Sequence, residues 1–256
     1  MFSAKRKRRA VEQVSSWWHS IDLGDGVVTP GYKTPELLAR ELQAIDMPED
    51  LTGRCVLDIG TWDGFYAFEA ERRGARRVVV VDHFVWAGDA APLPSGEWDP
   101  ERLPGKRGFD LAHETLQSSV DTVVADFMTM DTDALGIFDV VLYLGVLYHM
   151  EDPMRALRRL RGVTGGVAII ETQATVIPGF EHTPMWGFFP GAELNNDSGN
   201  WWAPNLSALK GALGAVGFDR VEVKVGPPTA LLEAAGGPHD YRAIVHAFSD
   251  QPSRVT

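Results

Sequence analysis

Val56-Leu57-Asp58-Ile59-Gly60-Thr61-Trp62-Asp63-Gly64 decides how this chain is read. An apolar run ends in an acid, and two glycines follow before a helical pattern begins near Phe65. Glycines at such a place let the backbone turn sharply and come close to a ligand. Outward from it, apolar runs at 78–81, 120–124, 138–144 and 167–170 alternate with helix-period segments at 65–73, 111–117 and 153–161. The last of these opens with Asp152-Pro153, a capping residue followed by proline at the first helical position. Several runs are continuous rather than alternating, as in strands covered on both faces. The pattern predicts an α/β fold with a doubly wound, mostly parallel sheet.

Composition narrows the class. The chain has 256 residues, 45% of them hydrophobic and 23% charged, enough apolar content to fill a sizeable core. No apolar run approaches the roughly 20 residues of a membrane-spanning helix. The single cysteine, Cys55, excludes a disulfide framework and a cysteine-based metal site, and no metal is expected. With no signal-peptide pattern after the basic run, the expected location is the cytoplasm. The net charge is −11, and because five positive charges sit in Lys5-Arg6-Lys7-Arg8-Arg9, the remainder carries −16. So acidic a body matches a polyanion poorly, which makes a nucleic-acid partner unlikely. The basic run itself reads as a short solvated arm.

Residues 1–50 precede the first strand and read as an appendage, with a helix over 35–43 that Thr34 could cap. Residues 51–256 form the main domain. A helix over 206–216, then runs at 221–225 and 243–248, predict an antiparallel pair at the end of the sheet. Between them and the fifth strand, residues 178–204 read as a long lid loop.

In open α/β sheets, ligands bind at the carboxyl ends of the strands. The first strand ends at Asp58 and the second at Asp82, twenty-four residues on. A carboxylate at the second strand end can accept from two ribose hydroxyls at once. Asp126-Phe127 after the third strand suits an adenine's amino group and face. A nicotinamide dinucleotide requires Gly-x-Gly-x-x-Gly, but Trp62 stands two after Gly60. An acid at Asp58 would repel a pyrophosphate and suit an ammonium. A ribose, an adenine and a cationic amino-acid tail together describe S-adenosylmethionine.

The quoted stretch resembles motif I of class I S-adenosylmethionine-dependent methyltransferases, and residues 144–153 resemble the segment after their fourth strand. More narrowly, Leu147-Tyr148-His149, Glu171-Thr172 and Tyr241-Arg242-Ala243 are similar to the bacterial tRNA wobble-uridine carboxymethyltransferases, and residues 17–26 to shorter relatives of that family. The resemblance implies a seven-stranded Rossmann-like sheet. It also implies cofactor contacts from Asp58, Gly60, Thr61, Trp62, Gly64, Asp82, His83, Asp126, Phe127 and Leu144, with the loop from Asp58 to Gly64 at the methionine moiety. In the carboxymethyltransferases, residues matching Tyr148 and Arg242 help hold the extra carboxylate of a carboxylated cofactor. No residue of 17–25 matches the lysine that family also uses; Lys33 lies in a different context.

Methyl transfer needs alignment, exclusion of water and removal of the acceptor's proton. His149 is the expected base, with Glu171, expected at the end of the fifth strand, and His19 as alternatives and Tyr148 beside it. The acceptor pocket is expected from Trp17, Trp18 and His19 of the appendage, Trp186, Asn195, Trp201 and Trp202 of the lid, and Arg242. Aromatics in this concentration suggest a planar or apolar small molecule. Three alternatives stay open: carboxymethyl transfer to tRNA, nucleotide oxidoreduction, and a binder that has lost its chemistry. Oligomeric state is not readable.

Overall fold

The computed structural model describes residues 3–88 and 103–250. Its strands form a seven-stranded, mostly parallel sheet in the order β3 (Asp121–Val124), β2 (Arg77–Asp82), β1 (Cys55–Ile59), β4 (Phe138–Leu144), β5 (Thr164–Val176), β9 (His239–Phe248), β8 (Arg220–Val225), with a separate two-stranded sheet of β6 (Trp186–Phe188) and β7 (Trp202–Pro204). The chain divides into two compact units: Met1–Gln43 with Met47–Met130, and Ala44–Asp46 with Asp131–Thr256.

In the first unit, β1 (Cys55–Ile59), β2 (Arg77–Asp82) and β3 (Asp121–Val124) pair in parallel. Val56, Leu57 and Val78 to Val81 are all buried, so the valine runs are explained by cover on both faces. Helix α3 (Phe65–Arg72) starts at Gly64, whose φ is +90°. A Cβ there would come within 2.7 Å of the rings of Phe68 and Phe109, so glycine is needed for conformation and for space. Helix α4 (Arg107–Leu116) buries Phe109 and Ala112.

The basic run is not the solvated arm expected of it. It forms most of helix α1 (Ala4–Val11), and Lys7 is turned inward. The Lys7 ammonium donates to the Leu23 carbonyl at 2.6 Å and pairs with Asp25 at 2.9 Å, which offsets burial of the charge. Trp17, expected at the acceptor, instead fills the core. It is 5% exposed and its indole N–H donates to the Val11 carbonyl.

In the second unit, β4 (Phe138–Leu144) pairs in parallel with β5 (Thr164–Val176). β5 then pairs antiparallel with β9 (His239–Phe248), which pairs with β8 (Arg220–Val225), the expected antiparallel arrangement. Asp152 caps α5 (Pro153–Val163) by accepting from the Arg155 N–H, and Asn205 caps α6 (Leu206–Ala215) through the Ala208 N–H. β5 and β9 run past the end of β4. Glu171 is therefore mid-strand, opposite Leu144 and Ile244, and not the strand end expected. The lid stretch contains β6 (Trp186–Phe188) and β7 (Trp202–Pro204), paired antiparallel.

Candidate functional site

Two carboxyls sit at strand ends in the first unit. Asp58 is 2% exposed, and its carboxylate accepts from the Thr61 hydroxyl at 2.7 Å. Burial pushes its carboxyl up to about 7, against the Thr61 hydrogen bond and with help from the neighbouring charge of Asp82. Asp82 is 5% exposed and accepts from the backbone N–H groups of Trp62 at 3.0 Å and Val85 at 3.2 Å. Burial pushes it up to about 6, against those N–H bonds. Among the described residues no cation pairs with either acid. A carboxylate has about four acceptor positions, so each can still take a ligand's donors. An ammonium at Asp58 and hydroxyls at Asp82 supply what burial has removed, so the donor set fits S-adenosylmethionine.

Gly60 has φ +77° and Trp62 φ +56°. A tryptophan in left-handed backbone costs about 1–2 kcal/mol, and three contacts hold it there. Its N–H goes to Asp82, its carbonyl accepts from the Trp86 indole at 2.7 Å, and its ring stacks on Trp18 at 5.1 Å. Trp18 in turn stacks on Tyr32 at 5.0 Å. The Trp62 side chain, which either points away from a cofactor or covers it, is stacked on the appendage through Trp18. His83 is exposed beside Asp82. The neighbouring Phe84, 71% exposed, gave no signal beyond its place after a strand-end acid. Asp126 accepts from the Met128 N–H and the Thr129 hydroxyl, shaping its own turn, while Phe127 is buried.

Asp63, quoted within the motif but given no role from sequence, joins that loop to the appendage. One carboxylate oxygen accepts from the N–H groups of Trp18 and His19, both at 2.9 Å, and the other pairs with His19 Nδ1. Lys33 pairs with Glu41 at 2.8 Å, and Glu41 also accepts from the Tyr66 hydroxyl at 2.6 Å.

In the second unit, Tyr148 and His149 lie on a short 3-10 turn, Leu147–His149. His149 Nδ1 donates to the Gly199 carbonyl at 2.8 Å, which leaves Nε2 as the acceptor nitrogen of a neutral ring. Burial holds His149 below the usual histidine range, against the pull of the Gly199 carbonyl and Asp197. Trp201 donates its N–H to the Tyr148 carbonyl at 2.8 Å, anchoring the lid stretch to this turn. Trp186, Trp201 and Trp202 are half-buried, and Trp202 packs on Phe188 at 4.9 Å.

Arg242 donates to Glu171 at 2.9 Å and to the Tyr148 hydroxyl at 3.2 Å. Burial opposes its charge, yet Glu171 and Tyr148 outweigh that and hold the guanidinium above its ordinary range. The carbonyl of Gln173 faces the same guanidinium, and Asn195 donates to that carbonyl. Leu144 sits half-buried at the end of β4. Neither Gln173 nor Gly199 stood out in the sequence, because their roles come from pairings across 69 and 50 residues of chain.

Among the described residues no cluster of metal-ligating side chains occurs, and no helix is long and apolar enough to cross a membrane. Residues 32–223 match the family described as "Methyltransferase domain". Similar curated proteins include the tRNA U34 carboxymethyltransferases of Psychrobacter arcticus, 29% identical over 187 residues, and Pseudoalteromonas translucida, 30% identical over 190. These alignments cover 67% and 72% of this chain but only 45% and 51% of those proteins, so the chain spans about half the length of the curated relatives it matches. Among solved structures, the N-terminal domain of EvdMO1 in the presence of SAH and D-fucose aligns with a TM-score of 0.64 at 17% identity, covering 97% of each chain. That likeness is one of fold.

Proposed function

Because this chain belongs to the methyltransferase-domain family, whose methyl donor is S-adenosylmethionine, we propose that it methylates an oxygen, nitrogen or activated carbon of a small-molecule acceptor. The observation that carries this reading is the pair of buried carboxyls Asp58 and Asp82 on adjacent parallel strands, with no cation paired to either among the described residues. When bound, the cofactor supplies a methyl group on a sulfonium sulfur. Asp58 would hold its ammonium, with Thr61 fixing the carboxylate, and Asp82 would hold the ribose hydroxyls. Asp126, Phe127 and His83 complete the proposed cofactor set of the first unit. The protein's remaining task is to align the acceptor, exclude water and take its proton.

On the acceptor side we assign His149, whose Nε2 is free to accept a hydrogen bond, with Tyr148, Glu171, Arg242 and Asn195 as polar wall and Trp186, Trp201 and Trp202 as aromatic surface. The −16 carried outside the basic run supports a small acceptor over a polyanion. Contact between Arg242 and Tyr148 favours a second reading, carboxymethyl transfer to tRNA as named for the relatives. The lack of a match among residues 17–25 to the lysine that the carboxymethyltransferases also use weighs against it. The test incubates the full chain with methyl-labelled S-adenosylmethionine and, separately, the small-metabolite and RNA fractions of a bacterial extract. Label in the small-metabolite fraction is expected. Label confined to RNA, or transfer only from the carboxylated cofactor, would overturn the proposal.

A further inference from the structure

Extending that proposed reaction, we infer that His19 is the group that takes the acceptor's proton, and that Asp63 is the residue that positions it. His19 is 4% exposed and Asp63 2%, so the pair is removed from water. Asp63 uses both oxygens. One holds the ring at Nδ1, and the other accepts the backbone N–H groups of Trp18 and His19. The His19 carbonyl accepts from the Thr29 hydroxyl at 2.8 Å. Its ring is stacked on Phe65 at 5.5 Å and met edge-on by Tyr66 at 5.4 Å. Gly31 is packed so closely that a Cβ would lie 2.1 Å from the His19 carbonyl carbon. Backbone, ring plane and tautomer are therefore all determined before any ligand arrives.

One atom of this arrangement is left over. Among the described residues, Nε2 of His19 meets no hydrogen-bond partner. With Nδ1–H directed at the carboxylate, Nε2 carries the lone pair. A carboxylate behind an imidazole also stabilises the imidazolium that forms when it accepts a proton, which the neutral Gly199 carbonyl behind His149 does less well. The other charged groups nearby are accounted for, since Lys33 and Glu41 pair with one another and Tyr66 donates to Glu41. The dyad is also anchored on the loop from Asp58 to Gly64, through Asp63 itself. In the step, the acceptor's O–H or N–H proton passes to Nε2 while the acceptor's electron pair forms the new bond to the methyl carbon. The carbon–sulfur bond breaks with its pair remaining on sulfur, and the imidazolium later releases its proton to water.

The first experiment needs no acceptor and no variant. Long-range proton–nitrogen spectra of the full chain, labelled at histidine nitrogens, read the tautomer of His19 with and without S-adenosylhomocysteine. A ring with its proton on Nδ1, toward Asp63, and a bare Nε2 is expected. A proton on Nε2, or a doubly protonated ring at pH 8, would overturn the inference and leave the dyad an anchor. The second experiment follows label transfer to the small-metabolite fraction. His19→Gln is expected to lose at least 100-fold in rate and the acid limb of the pH profile, while S-adenosylhomocysteine affinity stays within about threefold. Asp63→Asn should lose less and shift that limb. Retained activity in His19→Gln, or a loss of cofactor affinity as large as the loss of rate, would contradict the role. Absence of transfer in the unaltered chain would sink the proposed function and leave the spectra to decide the dyad.

Discussion

Asp58 and Asp82 of the first unit lie buried with a hydroxyl and backbone N–H groups for company and no cation among the described residues, whereas Glu171 of the second unit is paired at 2.9 Å with Arg242. The first arrangement stores an electrostatic deficit, seen in carboxyls pushed up to about 7 and 6. In the second the charge is paired within the chain, and the Tyr148 hydroxyl accepts a further guanidinium donor. A site made for a polar, cationic ligand leaves its charge for the ligand to complete, while a charge that the chain completes by itself has a structural use as well.

The largest expected effect separates the two directly. Asp82→Ala should weaken S-adenosylhomocysteine binding about 100-fold, the loss of charge-assisted bonds to two hydroxyls. Arg242→Leu should change it by less than about threefold. Titration calorimetry on both variants checks this, and equal losses would erase the distinction. Next, Arg242→Leu should destabilise the fold by about 1–2 kcal/mol, since Glu171 is left without its partner in a partly buried place. Adding Glu171→Gln should recover most of that in urea unfolding, and no recovery would mean that the pair does not stand alone. Asp58→Asn should act oppositely on the ligand-free protein and stabilise it by about 1 kcal/mol at pH 8. At pH 5 it should do almost nothing, because Asp58 is then protonated. A gain independent of pH would place the ordinary carboxylate behaviour at Asp58.

The smallest effect is a slope. Raised folded-state values mean that the free protein holds extra protons between the ordinary carboxylate range and about pH 7, so these two groups favour folding at low pH and lose that contribution as pH rises. Binding of an ammonium favours the ionised form. Affinity for S-adenosylhomocysteine should therefore rise severalfold from pH 5.5 to 8, with proton release that varies with buffer in calorimetry. His149, held low by burial, contributes the reverse sign, its stabilisation fading as pH falls below its usual range.

The parallel strands were legible because runs such as 78–81 are apolar without alternation, and caps such as Asp152-Pro153 carry their mechanism in the residue type. The positions of Asp58 and Asp82 were legible for the same reason, since each lies at the end of an apolar run already visible. What stayed hidden depends on long-range pairing. Glu171 looked terminal because β5 becomes polar at Glu171-Thr172-Gln173, and only the antiparallel partner β9 keeps it extended. The inward turn of Lys7 depends on acceptors at Leu23 and Asp25, which no charge pattern announces. Asp63 was in plain view within the motif, yet its purpose is set by His19, 44 residues earlier.

A crystal structure with S-adenosylhomocysteine tests the central claim most directly. The nucleoside is expected across the ends of β1 and β2, with the ribose hydroxyls on Asp82 and the amino group on Asp58, both within about 3.2 Å or bridged by one water. A ligand held elsewhere, with those two carboxyls still facing only their present neighbours, would contradict it.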